Sequence, residues 1–529
     1  MDSPNALRLA VDLLQDAFGD VVAKIAGMLL ERGQLTIREI LAFGKEESFD
    51  DEELPFQQVR NAMLVLTQHG LVNCHPFRQS QDGKCHVQVY ALDIDEVLAR
   101  VRFPQYLEYV RRKYGEQGQE LLEVVLKFGR AAQQVLLDEA ASASGISAEI
   151  LEETLKNLVT ERILRPVDAG DRTLNERVQA GPTASPFSVS RGKAQGSQAS
   201  RGAKAPRPEE RKRRLEVDDL IAGTPEPIKD EEPAKEEPAK EVKQAVYRFD
   251  RVNLDLCLRK AALCRLVEEQ LGDNEAMAMF ALLHFVVLNH SGEGVTTKYA
   301  DLEEIYARYL GLAKSEGRDP SRVKEKLRGN LDRLATHKDQ LLRKRVSAVK
   351  DADMSEWIVD WDRACECLRS MALSQLVRDR FGKIGLRIFN LLLEENPPQK
   401  LEEGQIFKIA MIPILDGREL LQAMARSCVL SWQQVARSSD GAVANSVWLY
   451  YVDMRRVVPS MLDLAYNSIL NLRIRFRAES ARVAPMESRA LSLGSRGRQS
   501  LRMGRRKEDL LERSFLVLDA VPLLCRSVR

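Results

Sequence analysis

The side chains best suited to metal chemistry flank one short stretch of the chain, Cys74-His75 and Cys85-His86. Thiolate and imidazole are the usual ligands of a tetrahedral zinc ion. Neighbours in a strand point to opposite faces, however, so both members of a dipeptide rarely reach one ion. Cys365-x-Cys367 lies where a helix should begin; side chains two apart diverge there, and buried structural thiols are expected. Asp301, Glu303 and Glu304 form an acidic cluster, but they open a helix, where carboxylates favour the positive end of the dipole. His69 and His337 fall near helix ends, where an imidazolium is a common structural choice, while His284 sits on an apolar helix with His290 after it. The sequence has no GxxxxGK[ST], no GxGxxG after a strand, no HExxH and no GxSxG. The expectation is a chain with no active site, no metal and no cofactor.

Nucleic-acid chemistry is the more serious prospect. Arg322, Lys324, Lys326, Arg328 and Arg333 lie on one amphipathic stretch, and Arg343, Lys344 and Arg345 follow at the start of an extended run. Such cations neutralise phosphates without reading sequence. Lys324, Arg328, Arg333, Arg343, Lys344 and Arg345 are the candidate contacts. The competing reading is a solvated helix face laced with acids, since Glu325 and Asp332 lie among them. Arg473, Arg475 and Arg477 are equally ambiguous, because alternate residues of a helix spread over about 200°.

The elements that must position these residues repeat one theme. VVAKIAGMLL has helical apolar spacing, RGQLT follows as a short strand, then IREILAFG and VRNAMLVLTQHG as two more helices. Gly70 is placed to end the last with a positive φ. An extended stretch from Leu71, the polar tip Asp82-Gly83 and the return HVQVYAL complete a hairpin. Three helices and a two-stranded hairpin are the order of a winged helix. The order recurs through LLEVVLKFG, RAAQQVLLDEAA and SAEILEETLKNLVTERILRPV, whose last strand needs a partner; AVYRFDRVNL, from Ala245, is the candidate. A third copy runs from NEAMAMFALLHFVVLNHSG to RVSAVKDADMSEWIVDW, and a fourth from LVRDRFGKIGLRIFNLLLEEN to VANSVWLYYVDM. The fold class expected is mainly α with small β wings (α+β): four tandem winged helices over 1–110, 111–258, 259–368 and 369–456. A C-terminal antiparallel helical hairpin or coiled coil over 457–529 should follow. Met461, Leu464, Ile469 and Leu472 are close to coiled-coil spacing on it and are candidate docking residues. A Ser/Gly/Arg-rich turn, LSLGSRGRQS, separates its two helices, and Pro522 should end or kink the second.

Between about 168 and 244 the composition shifts to Gly, Ser, Pro, Lys and Glu, with the near-repeat EEPAKEEPAKE. Such a segment buries too little apolar area to offset its ordering entropy, so an insertion in the second wing is expected to be disordered. Arg211-Lys212-Arg213-Arg214 within it is a candidate nuclear-import signal. The 529 residues exceed one core, 44% are apolar and 30% charged, and the net charge is only +1, which excludes a globally basic nucleic-acid coater. The eight scattered cysteines fit a reducing compartment. No signal peptide and no membrane span are expected from the start MDSPNALRLAVDLL and the lack of long apolar runs.

Several strings resemble the third-largest subunit of DNA-directed RNA polymerase III. They are LLQDAFGDVVAKIAGMLLERGQLTIREI at the start, VLTQHGLV, and VYRFDRVNLDLCLR after the insertion. In the fourth unit they are VRDRFGKIGLRIFNLLLEEN, FKIAMIPILDGRELLQAM and WLYYVDM. The C-terminal hairpin departs most from the family pattern. The resemblance implies a non-catalytic nuclear subunit in a peripheral subcomplex with two smaller specific subunits. It also implies docking on the clamp of the largest subunits through the hairpin, and winged helices that face promoter DNA and initiation factors. Its task would be initiation and promoter opening at transfer-RNA, 5S ribosomal RNA and other small-RNA genes. Rival readings are a free-standing winged-helix DNA-binding regulator and a winged-helix scaffold of another assembly, of ubiquitin-ligase or proteasome-lid type.

Overall fold

A computed structural model describes residues 3–46, 55–78, 86–167, 245–289, 294–315, 323–346, 355–393, 400–436, 446–489 and 494–526. The candidate import run Arg211–Arg214, the insertion at 168–244, the Asp82-Gly83 tip, Cys85, His290 and Arg322 lie outside the described residues.

The chain opens with α1 (Pro4–Phe18), which the apolar spacing at Leu9, Leu13 and Leu14 turns inward and the Ser3 hydroxyl caps by accepting from the Ala6 amide. α2 (Asp20–Arg32), α3 (Ile37–Glu46) and α4 (Phe56–Gln68) follow. They lead into antiparallel β1 (Val72–Arg78) and β2 (His86–Leu92), in register from Val72 opposite Leu92 to Arg78 opposite His86.

A short linking helix, α5 (Ile94–Leu98), and a tight turn over Ala99–Arg102 enter α6 (Phe103–Phe128), α7 (Gln133–Ser144) and α8 (Ala148–Thr160). Here β5 (Val246–Phe249) is the middle strand between β3 (Ala131–Ala132) and β4 (Leu164–Pro166), so the chain on either side of 168–244 shares one sheet.

The next group comprises α9 (Arg251–Gln270), α10 (Asp273–Leu282), the hairpin β6 (Val286–Leu288) and β7 (Val295–Thr297), β8 (Ala300–Asp301), α11 (Leu302–Ser315) and α12 (Val323–Thr336). It closes with β9 (Leu342–Val346) and β10 (Ser355–Val359), in a sheet of order β8-β10-β9. Ser355, Trp357 and Val359 alternate inward along β10, as the pleat requires.

Then come α13 (Trp361–Leu393), β11 (Leu401–Glu402), α14 (Glu403–Ala410), α15 (Ile414–Arg426), β12 (Ser431–Ala436) and β13 (Ser446–Tyr451), with β13 central. Two long helices finish the described chain, α16 (Met454–Glu487) and α17 (Ser495–Cys525). Contacts 476/515, 479/507 and 487/505 run in opposite directions along them. At Gly504 the helices approach so closely that a Cβ would stand 2.6 Å from a Val483 methyl. α17 differs from expectation at both ends. It begins at Ser495, so more than half of the expected turn is helical, and it runs through Pro522 to Cys525. A proline there forfeits one backbone bond, and the burial of Val521 to Cys525 holds the last turn in place.

One backbone device recurs. Gly19 (φ 86, ψ 179), Gly115 (φ 76, ψ −168), Gly272 (φ 117, ψ 176) and Gly382 (φ 71, ψ −173) each break one helical run and start the next. That region of backbone space is essentially open to glycine alone. The apolar residues gather into three cores. α16 serves two of them: Met461 and Ala465 belong to the core built from residues after Leu256, and Tyr466 and Ile469 to the core of α1–α5. Among the described residues no helix is long and apolar enough to cross a membrane.

Candidate nucleic-acid interface

The basic residues of the third group meet where α12 runs into β9. α12 forms because Leu327, Leu331 and Leu334, three to four apart, bury one face, which turns Lys326 and Arg333 outward. Arg328 is half-buried on the same helix, and the Lys324 side chain lies outside the described residues. Arg333 donates through Nη1 to Oε1 of Glu275, a buried carboxylate on α10, at 2.9 Å.

On β9, Lys344 donates to Oδ1 of Asp332 at 2.7 Å, and its ammonium stands 5.5 Å from the Trp357 ring. Arg343 donates through Nε to Oδ2 of Asp360 at 2.8 Å and through Nη2 to the same oxygen. The Arg345 guanidinium lies 5.8 Å from the Tyr299 ring. The structure thus brings Arg333, Arg343, Lys344 and Arg345 onto neighbouring elements, and three of the four already hold a carboxylate. The arginines of these pairs face solvent while Glu275 and Asp360 are largely buried, and a pair with an exposed cation contributes only about 0–1 kcal/mol, so a phosphate could compete for these cations. The face can neutralise phosphate, at a local charge lower than a count of cations suggests.

The candidate docking residues of the long helices divide. Met461 and Ile469 are buried in the chain's own cores, and Leu464 and Leu472 are half-buried. The α16 arginines divide as well. Arg473 donates through Nε to Asp12 at 3.0 Å and Arg477 through Nη1 to Asp16 at 2.8 Å, with crossed bonds completing the quartet. Arg475 remains exposed. Two arginines four apart on α16 therefore meet two aspartates four apart on α1, a match of helical periods. Asn5 adds a bond to Asp463 at 2.8 Å.

A polar seam that periodicity did not reveal ties α5–α6, α9 and α17 together. Arg102, itself buried, donates to Asp519 at 2.7 Å and to both oxygens of Asp255 at 3.2 Å. The Tyr106 hydroxyl donates to Asp255 at 2.5 Å, and Arg251 bridges Asp255 and Glu96. Burial pushes the Asp519 carboxyl up to about 6, against the pull of Arg102. Arg259 donates to the carbonyls of Leu523 and Arg526 at the end of α17. The available signal was Asp519 itself, a lone acid in the apolar run FLVLDAVPLL.

Of the Cys/His dipeptides weighed for metal chemistry, Cys74, His75 and His86 lie within the described residues and do not converge. Cys74 faces Tyr90 across the hairpin, whereas His86 faces Arg78, four positions along the ladder. Burial raises the thiol of Cys365, and pushes that of Cys367 to about 11, so both stay protonated. Among the described residues no group of His, Cys, Asp and Glu is placed to hold a metal ion. His69 departs from expectation: burial, with Arg100 adding to it, lowers it to about 4, so the imidazole is neutral rather than a cation at a helix end. Its ring centre lies 4.6 Å from that of Phe18, with the two planes tilted by 52°.

Two family profiles match the chain. Residues 8–76 match the helix-turn-helix domain of RNA polymerase III subunit RPC82, and residues 373–452 match the C-terminal winged-helix domain of POLR3C. Among curated proteins, the chain is 24% identical over 496 residues to DNA-directed RNA polymerase III subunit RPC3 of Rattus norvegicus, covering 90% of this chain and 84% of the relative. It is 23% identical to the Homo sapiens subunit over 495 residues, with the same shares. A shorter match to the Botryotinia fuckeliana subunit reaches 31% identity over 155 residues, 29% of this chain and 22% of that one.

Proposed function

The chain is a member of the RPC3 family, winged-helix subunits of RNA polymerase III, and from that premise we propose that it supports transcription initiation without itself polymerising RNA. In this reading it sits in a peripheral subcomplex with two smaller specific subunits, against the clamp of the largest subunits. It acts in the nucleus with initiation factors at promoters of transfer-RNA, 5S ribosomal RNA and other small-RNA genes. Four winged helices over 1–110, 111–258, 259–368 and 369–456, and a helical hairpin over 457–529, are the parts it would use. The observation that carries the reading is the near-complete span of the likeness, which a free-standing regulator sharing one winged helix would not produce.

The mechanism is positioning. Cations of α12 and β9 hold promoter DNA by its phosphates, Arg343 and Lys344 first, with Asp360 and Asp332 fixing their side chains until DNA arrives. Because Met461 and Ile469 are committed to internal cores, the docking role of the long helices falls to their outer faces and to the turn between them. Purification of the tagged chain from nuclei in moderate salt, followed by mass spectrometry, tests the assignment. Recovery of the two largest polymerase III subunits in stoichiometric amounts supports it. Recovery of a ubiquitin-ligase or proteasome-lid set sinks it.

A further inference from the structure

Scattered exposed apolar residues need no explanation, but a contiguous group does. Between α14 and α15 the chain exposes Ile409 (53%), Met411 (85%), Ile414 (59%) and Leu415 (81%). The buried side of the same turn is well packed. Ile406, Phe407, Ala410 and Ile412 enter the core, and a Cβ at Gly417 would stand 2.4 Å from the Phe407 ring. The turn is therefore held in place and still presents four large aliphatic side chains to water. Met411 caps α14 with φ 52 and ψ 54, a left-handed conformation where glycine or asparagine is usual. A methionine tolerated there and turned outward is hard to account for by folding alone.

The surroundings limit what can cover this surface. Arg387 of α13 donates to the Ala410 carbonyl at 2.9 Å, which brings that helix to the edge of the patch. Ile384, three residues earlier on the same helix face, is itself 42% exposed. Lys383 lies one turn before Arg387 on α13 and Lys408 precedes Ile409 on α14; all three cations are exposed, and among the described residues none of them forms an ion pair with a carboxylate. The acid within the stretch, Asp416, lies in the first turn of α15, where the helix dipole accommodates it.

We propose that the α14–α15 turn is a docking site for a polypeptide segment of another chain, one that presents aliphatic or aromatic residues flanked by aspartate and glutamate. The apolar side chains bury against Met411, Ile414 and Leu415, and the acids meet Lys383, Lys408 and Arg387. Duplex DNA is the poorer occupant: it would satisfy the cations but cover the aliphatic group with phosphates, which strands apolar surface in contact with charge. The proposal stands apart from the polymerase assignment, since it concerns the chemistry of the occupant and not its name.

The test is a photo-crosslinking amino acid at Leu415 in the full-length tagged chain, activated within its native assembly, with the crosslinked peptide sequenced by mass spectrometry. The same substitution at exposed Arg112 of α6 gives the background. The expected product is one peptide of another chain, rich in Asp and Glu around regularly spaced apolar residues. Its yield should fall about ten-fold in K383E/K408E, the loss of two charge pairs at an interface. Thermal unfolding should not change, because both lysines are exposed and form no ion pair among the described residues. Crosslinks to DNA, crosslinks to a basic peptide, or a yield at Leu415 no higher than at Arg112 would overturn the proposal. If the co-purifying proteins are not polymerase subunits, the family-based reading fails, and the composition of the crosslinked peptide still decides this one.

Discussion

The third and fourth helical groups share a plan and differ at the surface. Both follow a glycine break, Gly272 or Gly382, and both end in an antiparallel wing. On the third wing Lys344 covers a fully buried Trp357, and cations are tied to Asp332 and Asp360. On the fourth wing Trp432 and Trp448 stand in the open, edge to face at 4.8 Å. The same residue type is core in one and surface in the other. The difference teaches that the fold is set by the inward positions, and that the outward ones are free to differ: cations on the third wing, tryptophans on the fourth.

The largest effect should come from exchanging the two kinds of tryptophan. Trp357→Ala should cost about 3–5 kcal/mol in denaturant unfolding, as full burial implies, whereas Trp432→Ala should stay within about 0.5 kcal/mol. Equal losses would erase the comparison. Next in size, Gly272→Ala and Gly382→Ala should each cost about 1–3 kcal/mol, since both glycines occupy a conformation closed to alanine. No heavy atom lies within 4 Å of a Cβ built on Gly382, and the nearest to one on Gly272 is Glu275 Oε2 at 3.5 Å, so strain and not collision is being measured. A loss at one and none at the other would mean that the shared plan is only apparent.

The functional half of the comparison is weaker in energy. R343E/K344E/R345E should lower the affinity of the chain for duplex DNA about ten-fold and flatten its salt dependence, while W432A/W448A should leave both unchanged. Fluorescence anisotropy across a salt series distinguishes them, and a larger loss from the tryptophans would reverse the roles assigned to the two wings. The smallest effect is expected from Glu275→Gln. With Arg333 largely exposed, breaking this pair should cost less than about 1 kcal/mol. Removal of the carboxylate should also raise duplex affinity slightly, about two-fold.

Much of this was legible in the sequence, and what was not has a physical reason. Met63 and Leu66 of α4, Leu155 of α8, Leu334 of α12 and Met424 of α15 are buried where the spacing put them, because periodicity reports an apolar face directly. The glycine breaks were legible too, as a bulky residue, glycine and a charged residue at Phe18-Gly19-Asp20, Tyr114-Gly115-Glu116, Leu271-Gly272-Asp273 and Phe381-Gly382-Lys383. They repeat a backbone requirement, and only a search for that requirement would have aligned them. The partners of the cations were not legible, because Arg333 meets Glu275 and Arg473 meets Asp12 across long stretches of chain. Nor was the exposed turn: Met411 and Leu415 look like core in a sequence, and exposure is a property of neighbours rather than of residue type.

The packing of α16 across two cores also sets an order of events. Asn5 waits for Asp463 and Arg102 for Asp519, partners separated by 458 and 417 positions. At a synthesis rate of roughly 5–20 residues per second, the first core is without Tyr466 and Ile469 for roughly 20–75 s after its own helices have left the ribosome. During that interval α1 packs on α2 and α5, and only the part of it that meets α16 lacks its cover. A product cut short before α16 would lack the partners of Asn5, Asp12 and Asp16 and the apolar cover of Tyr466 and Ile469.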